Sequence, residues 1–341
     1  MSPVPPADPT PDRSWFIGDV PIAGPLVLAP LAGYTSLPLR LLCRRAGADL
    51  VFSDMVASQG LAHNNRKSAL LLTTCPQEKP VAIQIFGGDP DAMADAVRWV
   101  EDAGGDIFDI NMGCPVSKVR KAEAGSALLS DPDRAVAIAA AVVKHASIPV
   151  TCKIRAGCFE GDDSYLALAR RLQDAGVAAI SLHARTVAQG FKGEADHTHT
   201  RRLVAALQIP VIAGGDVFTP TMPLAILEDT GCAGVMVARG AMGRPWIFAQ
   251  AKAVLEGREP MPDPPLPERL GLALCQAQML AQQFGEDVAV HEMRAHLAWY
   301  TKGIPGGSQI RRECNAARSL ADLASLFGHQ AREAARVLEA T

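Results

Sequence analysis

Short apolar runs alternate with longer amphipathic segments along most of the chain, and this alternation predicts the fold. Each run is three to five residues long and ends at a loop with glycine, proline or a polar residue, as buried strands commonly do. Such runs occupy residues 26–29, 50–53, 81–85, 107–111, 150–154, 179–183, 211–213 and 234–237.

Segments with helical periodicity lie between the runs. Three of them end on an Ala-Gly pair, whose glycine (Gly47, Gly104 or Gly176) suits a left-handed cap before the next strand. Eight strand–helix units match a (β/α)8 TIM barrel in number and length. An open doubly wound sheet is the alternative, but nearly equal units and two similar final loops favour the barrel. The helical segments include 37–46, 90–103, 131–146, 165–175 and 220–229.

The character of the sequence changes after residue 255. Five prolines within residues 257–267 indicate a stiff linker. Three helical patterns follow, at 268–284, 288–302 and 308–327. We therefore predict a disordered tail at 1–14, where five prolines also occur, a barrel catalytic domain at 15–255, a linker at 256–267 and a small helical domain at 268–341.

Composition narrows the classes of function. The 341 residues are 48% hydrophobic and 20% charged, which fits a globular protein, and a net charge of −3 gives no overall support for nucleic-acid binding. The eight cysteines form no CxxC pair and no zinc or iron–sulfur spacing, so we expect no metal and a reducing compartment. Long apolar spans and a signal pattern are both absent. We expect a cytoplasmic monomer that does not contact membranes.

Polar and unusual residues cluster where the predicted strands end. In a TIM barrel these ends form one face, and active sites lie there. Each residue alone has an ordinary explanation, such as a solvated strand end for Lys153 or a core histidine for His183. Their shared position nevertheless predicts a site. They are Pro30, Leu31, Ala32, Gly33, Ser53, Asp54, Gln84, Asn111, Cys114, Lys153, Arg155, His183, Arg185, Gly214, Gly215, Asp216, Arg239 and Gly240.

The loops after the last two runs predict a phosphate site. Gly214-Gly215-Asp216 follows one run, and Arg239-Gly240 follows the next. Glycines there let backbone N–H groups approach an anion, and barrels hold phosphate at this position. The ligand is a flavin, with Lys153 at the pyrimidine edge, or a sugar phosphate. The glycines alone do not separate the two.

Cys114 stands on a stiff loop. Gly113 and Pro115 stop the run that ends at Asn111, so the thiol follows directly after a buried strand. A thiol in that position can act as a nucleophile, a redox centre or a proton donor. The alternative is a small hydrophobic residue in a turn.

Seven motifs in order make the chain resemble the tRNA-dihydrouridine synthases, flavin enzymes that reduce a uridine in tRNA. The segment His296-Leu-Ala-Trp-Tyr-Thr-Lys302 is similar to the bacterial B-type branch, often labelled nitrogen-regulation-like. The motifs are Ala-Pro-Leu-Ala-Gly-Tyr-Thr (29–35), Ile-Gln-Ile-Phe-Gly (83–87), Asp-Ile-Asn-Met-Gly-Cys-Pro (109–115), Lys-Ile-Arg (153–155), His-Ala-Arg-Thr (183–186), Gly-Glu-Ala-Asp (193–196) and Gly-Arg-Pro-Trp-Ile-Phe (243–248).

The resemblance implies roles for particular residues. Cys114 would donate a proton, and Asn111, Arg155 and Arg185 would lie near the uracil. Gly214 departs from the family, which usually has Asn there, and Phe191 stands where some branches have Tyr. FMN would be held by Pro30, Leu31, Ala32, Gln84, Lys153, His183, Gly214, Gly215, Asp216, Ala238 and Arg239.

The resemblance also implies partners. NADPH, or NADH, would be the reductant, and it would react at the flavin's own cavity because no dinucleotide fingerprint is present. The helical domain would bind tRNA through Lys302, Arg311 and Arg312, although its basic residues, with Arg294 and Arg318, also fit an ordinary solvated surface.

Two other functions stay open. One is a flavin barrel acting on free pyrimidines, like a dihydroorotate dehydrogenase, which has little use for a helical domain. The other is a tRNA-binding protein without chemistry, which has no need of Cys114 and Lys153.

Overall fold

The computed structural model describes residues 12–63, 65–304 and 306–339. The predicted tail at 1–14 therefore lies, except for its last three positions, outside the described residues. The strands are β1 (Trp15–Ile17), β2 (Val20–Ile22), β3 (Leu26–Leu28), β4 (Leu50–Phe52), β5 (Val56–Ala57), β6 (Val81–Phe86), β7 (Ile107–Asn111), β8 (Val150–Arg155), β9 (Ala179–His183), β10 (Val211–Gly214) and β11 (Gly234–Val237).

Eight parallel strands close into a barrel, which confirms the predicted (β/α)8 fold and excludes the open sheet. The order around the barrel is β3, β4, β6, β7, β8, β9, β10 and β11, and β11 pairs back with β3. Each predicted apolar run matches one of these strands to within one residue at its carboxyl end. The runs were recognisable because strands covered by helices outside and by core inside are apolar on both faces.

Helices surround the barrel and begin at clear capping signals. The carboxylate of Asp89 accepts the Ala92 N–H at the start of the helix Pro90–Asp102, and Asp131 does the same for Arg134 at the start of the helix Pro132–His145. The predicted left-handed glycines, Gly47, Gly104 and Gly176, each follow a helix end. The helices are α1 (Leu37–Arg45), α2 (Ser58–Ala62), α3 (Arg66–Leu71), α4 (Pro90–Asp102), α5 (Ser117–Lys121), α6 (Pro132–His145), α7 (Ser164–Asp174), α8 (Thr198–Ala206), α9 (Met222–Thr230) and α10 (Ile247–Leu255).

The amino end of the barrel is closed by apolar packing. The antiparallel hairpin β1–β2 places Ile17 and Ile22 against Val27, Leu50 and Ile212 inside the barrel. These residues are buried and fill that end of the barrel with apolar side chains. Inward-facing polar side chains lie instead toward the carboxyl end, where the site was predicted.

The described residues of the C-terminal part form four helices: α11 (Leu266–Phe284), α12 (Glu286–Tyr300), α13 (Gly307–Ala316) and α14 (Leu320–Glu339). The prediction of one helix over 308–327 is wrong, because α13 ends at Ala316 and α14 begins at Leu320. Ser319 and Asp322 form a reciprocal capping box there: each side chain accepts the other residue's N–H at 3.1 Å. The Ser-x-x-Asp signal was present in the sequence.

The helical part packs directly on the barrel. Gly243, at φ +60°, lies so close to α12 that a Cβ would stand 2.3 Å from the Tyr300 nitrogen. The proline-rich segment holds the same junction, since Asp263 accepts hydrogen bonds from the Trp246 indole at 2.9 Å and from Arg244 at 3.0 Å. This contact fixes α12 beside the barrel mouth.

Candidate active site

A cavity of about 410 Å³ opens at the carboxyl ends of the barrel strands. Its wall includes Asn111, Cys114 and Arg155, together with every residue that the family resemblance assigns to FMN. Those residues are Pro30, Leu31, Ala32, Gln84, Lys153, His183, Gly214, Gly215, Asp216, Ala238 and Arg239.

The end of β7 holds Cys114 in a defined turn. The side-chain oxygen of Asn111 accepts the N–H groups of Gly113 at 3.2 Å and of Cys114 at 3.0 Å. The Cys114 carbonyl in turn accepts the Ser126 N–H at 3.0 Å. The thiol is partly exposed and lies on the cavity wall, so the turn presents it to a ligand.

Buried polar side chains form a hydrogen-bonded group at the cavity wall and directly behind it. Asp109 accepts hydrogen bonds from Gln84 and Thr151, both at 2.6 Å, and Asn111 donates to Gln84 at 2.7 Å. The parallel register places Gln84, Asp109 and Thr151 side by side on β6, β7 and β8. Burial raises the pKa of Asp109 to about 7, against the opposing effect of these hydrogen bonds and of Lys153.

Lys153 and His183 give the cavity one cation and one neutral ring. Burial, followed by the charge of Arg155, lowers the pKa of Lys153 to about 8, so the ammonium form still dominates at neutral pH. Its Nζ has no hydrogen-bond or ion-pair partner among the residues that the structure describes. Burial and the surrounding cations, Lys153 first, lower the pKa of His183 to about 2. The imidazole is therefore neutral.

Arg155 ties two loops of the cavity together. Its Nε donates to the Gly113 carbonyl at 2.8 Å, and its Nη1 donates to the carbonyls of Thr186 and Gly190 at 3.1 and 2.8 Å. Burial lowers the pKa of Arg155 to about 10, which leaves it charged at neutral pH. The guanidinium also lies 5.5 Å from the centre of the Phe191 ring.

The loops after β10 and β11 form the other end of the cavity. Gly215 has φ +134°, and a Cβ there would stand 2.6 Å from the Ala195 Cβ, so only glycine fits. Asp216 has φ +54°, and its carboxylate accepts hydrogen bonds from Arg185 at 2.6 Å and from Arg239 at 3.2 Å. Asp216 therefore orients two arginines instead of facing an anion with its own charge.

This end of the cavity has the groups that a phosphate requires. Within the described part of the chain, neither the Gly215 nor the Asp216 backbone N–H donates a hydrogen bond. Arg239 is nearby and half-exposed, and its guanidinium carbon lies 5.5 Å from the ring centre of Phe191 and 5.1 Å from that of Phe218. Free N–H groups beside a cation suit phosphate, and the unpaired Lys153 suits a second electron-rich group. The residues present therefore fit FMN.

Four predicted substrate residues lie outside the wall of this cavity. Arg185 is buried and bonds to the carbonyls of Lys192 and Gly193 as well as to Asp216. Arg311 bonds to Thr301 at 3.2 Å, whereas Lys302 and Arg312 are exposed. Their roles toward a substrate stay predictions.

The structure adds Trp299 and Tyr34 to the cavity wall. Tyr34 packs edge-on against His296 of α12, with ring centres 5.1 Å apart, and Lys302 lies 5.1 Å from the Trp299 ring centre. Trp299 belongs to the helical part, and the sequence analysis did not assign it to the site. Its place in the 296–302 motif was the available signal.

A family model described as dihydrouridine synthase (Dus) matches residues 27–336, which is most of the chain. The chain belongs to the dihydrouridine synthase family. Its relatives include proteins named tRNA-dihydrouridine synthase B from Pseudomonas aeruginosa PAO1 and Xanthomonas campestris pv. campestris. The first is 39% identical over 88% of this chain and 90% of the relative, and the second is 40% identical over 89% and 91%.

Solved structures support the barrel architecture of this dihydrouridine synthase family member. Histamine dehydrogenase from Rhizobium sp. 4-9 aligns with a TM-score of 0.55 at 11% identity, over 84% of this chain and 50% of that one. A 2-naphthoyl-CoA reductase also gives 0.55 at 11% identity, over 72% and 52%. The chain thus spans about half the length of these two proteins, and the likeness concerns the fold alone.

Two further observations describe the molecule as a whole. Within the described ranges, no helix is both long and apolar enough to cross a membrane. The same residues contain no group of three or more His, Cys, Asp or Glu side chains that could hold a metal ion.

Proposed function

We propose that the protein is a tRNA-dihydrouridine synthase that uses FMN and NADPH to reduce the C5=C6 bond of a uridine in tRNA. One observation carries the proposal: the thiol of Cys114 shares a cavity with an unpaired Lys153 and with free backbone N–H groups at Gly215 and Asp216. The relatives' name, tRNA-dihydrouridine synthase B, supplies the substrate.

The cavity residues divide between the two ends of FMN. Gly215, Asp216 and Arg239 would hold the phosphate, and Lys153 would lie against the pyrimidine edge of the flavin. FMN bound there and reduced by NADPH would supply the hydride that adds to C6 of the uracil. Arg239 is already oriented by Asp216, so it needs no rearrangement to meet an anion.

Cys114 is the proton donor in this proposal. When C6 of the uracil gains a hydride, negative charge develops at C5, and the thiol protonates that carbon. Asn111 fixes the turn that carries the thiol, and Arg155 holds the same turn through the Gly113 carbonyl. Their contribution is to keep the donor within reach of the reacting carbon.

The helical part supports a macromolecular substrate. A uridine inside folded RNA must leave its stack to reach the barrel, at a cost of roughly a few kcal/mol. Trp299 offers an aromatic face at the cavity wall, and the exposed side chains of Lys302 and Arg312 can contact phosphates. A free-pyrimidine enzyme has no use for this surface. All eight cysteines are free thiols, in keeping with a place in the cytoplasm beside tRNA.

The decisive experiment uses purified protein, FMN, NADPH and unmodified tRNA, with dihydrouridine measured by mass spectrometry of nucleosides. We expect Cys114→Ala to lower the rate by about 10²–10⁴-fold, the usual share of general acid catalysis, without releasing flavin. Cys158→Ala, a partly exposed thiol outside the cavity wall, is the matched control.

Other outcomes have clear meanings. Protein that takes up no flavin would refute the proposal. Turnover of dihydroorotate or free uracil in place of tRNA would assign the protein to the free-pyrimidine enzymes. Tight tRNA binding by a flavin-free, inactive protein would make it a binding protein.

A further inference from the structure

A continuous chain of hydrogen bonds links a buried carboxylate to the Cys114 turn. Gln84 donates its Nε2 to Asp109 Oδ2 at 2.6 Å, and its Oε1 accepts Asn111 Nδ2 at 2.7 Å. Asn111 Oδ1 then accepts the Cys114 N–H at 3.0 Å. Asp109 is fully buried and is absent from the cavity wall.

Asp109 determines which end of each amide donates and which end accepts in this series of hydrogen bonds. The two ends of a carboxamide have nearly the same shape, so Gln84 and Asn111 could each face either way. The carboxylate form of Asp109 accepts only, so the NH2 group of Gln84 must point to it; in the protonated form Oδ2 stays an acceptor when the carboxyl hydrogen is on Oδ1 and turned to the Thr151 hydroxyl. The Gln84 oxygen then points to Asn111, and the Asn111 oxygen points to the turn.

The arrangement also determines what Gln84 offers to a ligand. One of its two amide hydrogens is committed to Asp109, and its oxygen is occupied by Asn111. Because Gln84 lines the cavity, the donor left for a bound molecule is its second N–H. If the amide were reversed, Gln84 would present an acceptor and repel the carbonyl oxygens of a flavin.

We propose that Asp109 is a positioning residue that orients the Gln84 and Asn111 amides and thereby sets both the Cys114 turn and the donor face of Gln84. The catalytic consequence rests on the proposed function, but the geometry can be tested without turnover. Thr151 completes the arrangement by donating to Asp109 Oδ1 at 2.6 Å.

The negative charge of Asp109 is not required by this role. An asparagine at 109 can keep its oxygen toward Gln84 and turn its NH2 group to the Thr151 hydroxyl, which is able to accept. A leucine has a similar volume and no acceptor. Asp109→Asn and Asp109→Leu therefore separate hydrogen-bond direction from charge, because a purely electrostatic effect on Lys153 would be lost in both.

The test measures two properties in full-length protein: the alkylation rate of Cys114 by iodoacetamide, read by peptide mass spectrometry, and the dissociation constant for FMN. For Asp109→Leu we expect the alkylation rate to change by at least about fivefold, and the FMN dissociation constant to rise by at least about tenfold. For Asp109→Asn we expect both to stay within about threefold of wild type.

Asp49→Leu is the matched control, since Asp49 is a partly buried carboxylate that accepts the Leu26 N–H at the opposite end of the barrel. It should alter neither property. If Asp109→Leu does not fold, Gln84→Met removes the hydrogen bonds of Gln84 to Asp109 and Asn111 instead. The Cys114 alkylation rate of that variant then tests the positioning role.

The results also separate this inference from the proposed function. The positioning role would be overturned if Asp109→Asn and Asp109→Leu changed the Cys114 alkylation rate and the FMN dissociation constant equally. A wild-type alkylation rate in Asp109→Leu or Gln84→Met would also overturn it. If tRNA is never reduced while the alkylation pattern appears as expected, the proposed function fails and the positioning role stands.

Discussion

Flavin affinity should fall as the pH rises through the pKa of Lys153. That pKa is about 8, because burial and Arg155 disfavour the ammonium form. Lys153 lies on the cavity wall without a partner among the described residues, so an electron-rich ligand would bind the charged form. The contribution of Lys153 to the affinity is therefore nearly full at pH 7 and is lost as the pH rises through about 8.

The size of the effect follows from the charged fraction of Lys153. For a pKa of about 8, that fraction falls from about 0.9 at pH 7 to about 0.1 at pH 9. Binding that selects the ammonium form should weaken by about tenfold over this interval. At pH 7, Lys153→Met should weaken FMN binding by about 10–100-fold, the value of one hydrogen bond to a charged group.

The assay is a fluorescence titration of FMN at several pH values between 7 and 9. Lys153→Met should give a flat profile, and any slope that it keeps belongs to other groups, such as Asp109 with its pKa of about 7. Lys192→Met is the control, because Lys192 is exposed and lies outside the cavity wall. A wild-type profile without slope, or a slope unchanged in Lys153→Met, would refute the reasoning.

Three further predictions concern stability, cofactor and substrate. Arg40→Met should destabilise the protein by about 3–5 kcal/mol in urea unfolding, because it leaves the buried Glu78 carboxylate, whose Oε2 lies 2.5 Å from Arg40 Nε, without its ion-pair partner. A decrease in the free energy of unfolding below about 1 kcal/mol would contradict this. Gly215→Ala should cost about 1–3 kcal/mol of flavin affinity at its positive φ, and equilibrium dialysis checks it against wild type. Trp299→Ala should weaken tRNA binding by about 1–3 kcal/mol, the value of one stacked base, and unchanged binding in a filter assay would remove Trp299 from the substrate surface.

The barrel could be predicted from the sequence because its signals are local. Each strand is a few apolar residues bounded by loop formers, and the glycines after α1, α4 and α7 mark helix ends. The break between α13 and α14 has an equally local signal in Ser319 and Asp322. It was missed because helical periodicity continues on both sides of the break and outweighed the capping motif.

In the candidate site, too, residues with a local sequence signal could be predicted and residues placed by long-range contacts could not. Residues at strand ends, such as Lys153 and Gly215, could be predicted because a barrel brings all strand ends to one face. Asp109 could not, since it lies within an apolar run and its partners come from β6 and β8. The 296–302 motif marked the segment that carries Trp299, but its place on the cavity wall could not be derived, because the docking of α12 against Gly243 depends on packing between distant segments.

The net charge of −3 argues against nucleic-acid binding only if charge is spread evenly, and His183 shows that it is not. After burial, the causes that lower its pKa to about 2 are all cations: Lys153, Arg155, Arg185 and Arg239. Interactions between charges weaken over about 10 Å at 0.1 M salt, so an anion at the cavity experiences these four groups more strongly than the distant acidic surface. The positive charge around His183 is therefore the relevant quantity for a phosphate-bearing ligand, and an acidic protein can bind one there.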